Sequence, residues 1–134
     1  MNFKSENKTL RNRIAIPLLI WGGINIIAGI FYLFISSDLI KGVLLQALFW
    51  GLIDAIIGIV SLFRKKKIDL KKIKKILLIN VYLDVLYIII GVVLVLLGSS
   101  NFMIGNGYGL IIQGLFLFIV DLIHHNHIKK ILNY

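Results

Sequence analysis

The chain has 134 residues, of which 59% are hydrophobic and only 16% charged, against roughly half and a quarter in soluble domains. A soluble domain of this size could not cover so much apolar surface, and the mean hydropathy of +0.94 agrees with a lipid-facing protein. The net charge of +9 does not mark a nucleic-acid binder, because the basic residues sit in short runs between apolar stretches and no nucleic-acid motif is present; the lack of cysteine removes disulfides, Cys–zinc sites and thiol chemistry.

A bilayer core about 30 Å thick needs about 20 apolar residues of helix, and four stretches qualify: about 14–35, 42–63, 76–98 and 108–127. They are continuous, without the polar–apolar alternation of barrel strands, so helices are expected. Residues 1–13 form a basic tail with Lys4, Lys8, Arg11 and Arg13. The tail resembles a signal-peptide n-region, but the apolar run behind it is too long and lacks a small-residue cleavage site, which makes it a retained anchor. Pro17, the only proline, falls in the first turns of that span, where it is tolerated or sets a kink. Asn7-Lys8-Thr9 is a formal glycosylation sequon, expected to be silent on the cytoplasmic side.

In the second span, Ala47, Gly51 and Ala55 make a small-xxx-small seam beside Asp54 that permits close helix approach. The basic loop 64–75 follows. Leu70, Ile73 and Leu77 keep helical spacing through its end, which predicts that the third helix begins within it. Residues from Gly98-Ser99-Ser100-Asn101 to Gly105-Asn106-Gly107-Tyr108-Gly109 predict a flexible, glycine-rich outer connection. Their Gly-x-Gly-x-Gly has no strand before it and is no phosphate loop.

Orientation follows from Lys and Arg. All of the 15 basic residues except Lys41 lie in the tail, in the 64–75 loop or at Lys129 and Lys130. Both termini are therefore expected in the cytoplasm, with anionic lipid headgroups attracted to the basic loop.

Spans two and four match: Gly42, Gln46, Leu48, Phe49 and Asp54 recur at the same offsets as Gly109, Gln113, Leu115, Phe116 and Asp121. Spans one and three match more loosely, with Trp21 opposite Asn80 and Asn25 opposite Asp84. The expected fold is an all-α membrane protein, a four-transmembrane-helix bundle over 14–134 built from two helical hairpins related as parallel repeats.

Asp54 and Asp84 lie within spans, and Asp121 lies near the cytoplasmic end of the fourth. Each aspartate at a span centre costs roughly 2.5–3.5 kcal/mol, and no Lys or Arg inside a span offers a counter-ion. The carboxyls must be protonated, hydrogen-bonded or hydrated. Helical spacing puts Trp21 and Asn25 on one stripe, Gln46 and Asp54 on a second, Asn80, Asp84 and Tyr87 on a third, and Gln113 and Asp121 on a fourth. These stripes are expected to face one another in an interior polar cluster. His124, His125 and His127 are weak metal-ligand candidates. Asp121-x-x-His124 offers one pair of ligands, short of the three or four a site needs, so neither metal nor cofactor is expected.

No catalytic pattern such as Ser–His–Asp, H-E-x-x-H or a P-loop appears. Three functional readings are open. One is a transport-like or ligand-binding protein with titratable carboxylates. A second is a structural, accessory or immunity-type subunit. A third is a lipid-modifying intramembrane enzyme using Asp and His. A bundle this thin predicts a homo-oligomer.

Trp21-Gly22-Gly23-Ile24-Asn25, Asn80, Leu83-Asp84, Tyr87 and Gly91, with Gly107-x-Gly109, Gln113-Gly114, Phe116-Leu117 and Asp121, resemble a family of small bacterial membrane proteins defined as a domain of unknown function. The resemblance spans the four helices and departs at Val120, where an aromatic is expected. It implies a bacterial cytoplasmic membrane and no particular activity.

Overall fold

The structure is a computed structural model that describes residues 3–64 and 68–133, with side chains from residue 8 onward. Lys65–Lys67 of the basic loop, Asn7 of the sequon and the Lys4 side chain lie outside the described residues.

Four long helices account for nearly all of the described chain: α1 (Phe3–Ile30), α2 (Asp38–Phe63), α3 (Leu70–Leu97) and α4 (Asn101–Leu132). Each is long and apolar enough to cross a membrane. A short 3-10 turn, Phe31–Phe34, ends the first apolar run. Three of the helices start on a capping side chain that satisfies an otherwise orphaned N–H. Ser37 accepts from the Ile40 N–H, Asp69 from Lys71 and Lys72 at 3.0 and 3.2 Å, and Ser100 from Met103 at 3.2 Å. The Asp69 cap starts α3 inside the basic loop, as the spacing of Leu70, Ile73 and Leu77 predicted.

The outer connection differs from expectation. Only residues 98–100 separate α3 from α4, and Gly105, Gly107 and Gly109 are buried within α4. Their missing side chains serve close packing: a Cβ on Gly105 would collide with the Leu39 carbonyl of α2, and one on Gly107 would sit 2.6 Å from the Gly91 carbonyl of α3. Contact on two sides of the helix offsets the roughly 1 kcal/mol that each glycine costs in helix propensity.

Around the bundle the order is α1, α2, α4, α3, and α1 and α3 do not pack along one another. Gly22 meets Gly51 and Ala55, while Gly58 meets Ala15 and Leu19, so α1 and α2 run antiparallel with the small-residue seam between them. The same relation holds for α3 and α4. Helices α2 and α4 run parallel, Gly42 against Gly105 and Gln46 against Gly109.

Polarity is inverted relative to a soluble bundle. The buried hydrophobic side chains are few, among them Leu10, Leu77 and Ile128, which form a cluster at the basic end. Asn25, Asp54, Asp84 and Gln113 are all buried, whereas Leu33, Phe34, Phe63, Leu96 and Leu97 are each more than 70% exposed.

Candidate functional site

The polar residues of the four stripes do turn inward, but they separate into groups. The first is a closed amide network between α1 and α4. The Trp21 indole Nε1 donates to Gln113 Oε1 at 2.7 Å, Gln113 Nε2 donates to Asn25 Oδ1 at 2.6 Å, and Asn25 Nδ2 donates to the Trp21 carbonyl at 2.9 Å. The Trp21 ring stacks on Phe116 at 4.1 Å. Such a set is satisfied within itself and ties α1 to α4 across the bundle.

A second group lies towards the outer end. Gln46 Nε2 donates to Asn106 Oδ1 at 2.8 Å, and Asn106 Nδ2 donates to the Phe102 carbonyl. Gln46 and Gln113, which stand at matching offsets in the sequence, thus have different partners. Asn106 escaped the sequence reading because its neighbouring glycines read as a loop. Tyr87 packs its ring edge-on against Trp50 at 4.9 Å, away from the amide network.

The third group contains the carboxylates. Asp54 and Asp84 are 1% and 3% exposed, and Oδ2 of each is buried without a hydrogen-bond partner, as is Trp50 Nε1. Asp121, partly buried, is hydrogen-bonded by Asn80 and lies beside His124. Asp121 is within electrostatic reach of both Asp54 and Asp84, which also feel one another. Three acidic groups from α2, α3 and α4 therefore share one interior with no Lys or Arg among them, and His124 beside Asp121. Unpartnered carboxyl oxygens in such a setting can hold a proton, or accept from a cationic or hydrogen-bonding ligand.

A cavity of about 440 Å³ leads to this group from the basic end. Asn80 and Asp121 stand at its inner end with Ser61, and Arg11, Arg64 and Lys72 stand at its outer end. Asn80 follows Lys72 by two helical turns, about 12 Å along α3. In the sequence Arg11, Arg64 and Lys72 counted only as topology signals; their place at the ends of apolar runs, three residues before Ile14, seven after Ile57 and one before Ile73, was the available clue.

The three histidines are engaged in helix ties. His124 Nδ1 lies 2.7 Å from the Val120 carbonyl and its Nε2 lies 2.8 Å from the Arg13 carbonyl. Arg13 O is available because Pro17, four residues on within α1, has no N–H to give it. His125 Nδ1 meets the Lys74 carbonyl of α3 at 3.2 Å, and His127 Nε2 accepts from Arg13 Nη1 at 3.0 Å. Among the described residues, no three His, Cys, Asp or Glu side chains are grouped to hold a metal.

Residues 17–122 match the model of a family described as a family of unknown function (DUF6992). The match takes in α2 and α3 whole, the later part of α1, α4 as far as Leu122, and the three aspartates. No curated protein and no solved structure matches the chain.

Proposed function

The chain belongs to the DUF6992 family, and from that premise, which fixes no chemistry, we propose that it is a small four-span membrane protein that binds and exchanges protons, with a cationic or hydrogen-bonding solute, at Asp54, Asp84 and Asp121. The membrane reading draws its support from the inverted polarity: buried carboxylates and amides inside, large exposed Ile, Leu and Phe outside. Water would penalise that surface, whereas acyl chains would not. The basic residues gathered at one end set both termini in the cytoplasm of a multi-pass cell-membrane protein, and the thinness of the bundle favours a homo-oligomer.

One observation carries the functional part. Two buried carboxyl groups keep an unpartnered oxygen within electrostatic reach of a third that borders the cavity. Purely structural polar contacts in a membrane close on themselves, as the Trp21–Gln113–Asn25 network does. The carboxylates do not.

Reconstitution into liposomes that hold a pH-sensitive dye, with a potassium diffusion potential imposed, gives the test. Proton uptake is expected for the native chain, with a fall of at least tenfold, or about 1.4 kcal/mol, in Asp84→Asn and Asp121→Asn variants that still insert. Equal uptake by the native and Asn variants, or none by the native chain, overturns the reading.

The accessory-subunit reading gains support from the closed amide network, which holds helices together without need of a ligand. It predicts near-neutral Asp→Asn variants and a co-purifying protein. The lipid-modifying reading is weakened, because the histidine nitrogens that would exchange protons are bonded to helix backbones and to Arg13.

A further inference from the structure

The cavity combines two chemistries that a proton path does not need. Its outer end carries Arg11, Arg64 and Lys72, and its wall is apolar, with Ile14 and Leu18 from α1, Ile57 from α2 and Ile73, Ile76 and Leu77 from α3. The backbones of α1 and α3 do not run close together along their lengths; side chains of the Leu10–Leu77–Ile128 cluster join them at the basic end. Arg11 Nη1 donates to the Arg64 carbonyl, which holds the guanidinium at the mouth, and Arg11 Nε is buried with no partner. Asp69 is the only carboxylate among the residues lining this end, and it is occupied as the cap of α3. Three cations against one engaged carboxylate leave the mouth positive. The other carboxylate of the cavity, Asp121, is bonded by Asn80 at the inner end.

We propose that this cavity holds one phospholipid with an anionic head. Its phosphate sits among Arg11, Arg64 and Lys72, and one acyl chain lies along the apolar wall formed by α1, α2 and α3. Guanidinium groups match phosphate oxygens in geometry as well as charge. The apolar wall gives an acyl chain a burial that free phosphate cannot use. The volume falls in the range of about 300–1,000 Å³ common to small-molecule sites. This differs from general attraction of headgroups to a basic loop, because it is a single site defined by cavity walls. The inference rests on the reading of the four helices as membrane spans and is independent of proton exchange at the aspartates.

Native mass spectrometry of the purified full chain in detergent tests it, with dioleoyl-phosphatidylglycerol and dioleoyl-phosphatidylcholine as probes that share acyl chains and differ in head charge. One phosphatidylglycerol is expected to be retained per chain in preference to phosphatidylcholine. The double variant Arg64→Gln/Lys72→Gln should weaken retention by about tenfold or more, and Lys72→Gln alone, at an exposed position, gives a smaller loss in the same direction if the double variant does not fold. Ile57→Trp, which fills the wall and leaves every charge in place, should also weaken it. Lys129→Gln/Lys130→Gln, the same charge removed away from the cavity, should not. Equal retention of the two lipids, an Ile57→Trp variant that binds as the native chain does, or displacement of phosphatidylglycerol by equimolar inorganic phosphate overturns the proposal. A chain that fails to insert into bilayers sinks the membrane reading; one that inserts without lipid preference sinks only this site.

Discussion

Pro17 removes one helical hydrogen bond from α1, and the carbonyl it leaves unpaired, Arg13 O, is the one His124 reaches from α4. Each residue alone has a different reading in the sequence: a proline tolerated or kinking early in a span, and a histidine offered as a weak metal ligand. Their relation depends on the His124 side chain of α4 reaching across to α1 at the basic end, which no local signal encodes. A double-mutant cycle tests the link. His124→Ala is expected to lower stability by about 0.5–1.5 kcal/mol, since it removes the side-chain partner of the Arg13 carbonyl. In a Pro17→Ala background, where the restored N–H satisfies Arg13 O, the same substitution should have a clearly smaller effect. Unfolding titrations in mixed micelles read both steps, and strict additivity would count against the pairing. Asp54, Asp84, Asn25 and Gln113 were legible as interior residues, because a polar side chain facing acyl chains is too costly. Which of them would be satisfied was not legible: the amides close on Trp21, while the two aspartates keep an unpartnered oxygen.

Among the helices, glycine was the ambiguous letter. In 98–109 its density, with serine and asparagine, reads as a loop, yet α4 runs through it from a Ser100 cap. The same absence of a side chain gives freedom in water and proximity between packed helices, and only the neighbours decide between them. Gly105 and Gly23 separate the two cases. A Cβ at Gly105 would strike the Leu39 carbonyl, whereas one at Gly23 meets nothing within 4 Å. Gly105→Ala should therefore destabilise the bundle by about 1–3 kcal/mol or more by forcing α2 from α4. Gly23→Ala should be neutral or stabilising by up to about 1 kcal/mol through helix propensity. Thermal unfolding in detergent distinguishes them, and equal shifts would contradict the packing.

At the scale of the whole molecule, the basic end gathers both termini and the α2–α3 loop, and the other end gathers the two remaining connections. The proposed topology has a direct check because the chain holds no cysteine of its own. Ser99→Cys, on the short α3–α4 connection, should react with a membrane-impermeant maleimide added to intact cells. Lys129→Cys should react only after the membrane is opened. Labelling in the reverse pattern would invert the topology, and labelling of both without permeabilisation would remove the barrier from between them.

The sequence by itself determined the number of helices, the end at which charge collects and the inward direction of the aspartates. Each of these follows from transfer free energies along one chain, which depend on residue type and helical period alone. The tertiary structure decided the order α1, α2, α4, α3, the cavity lined by α1, α2 and α3, and the partition of the polar cluster into satisfied amides and unpartnered carboxyls. Those features depend on which backbones approach within a few ångströms, and that is set by the joint fit of glycines and side chains from different helices.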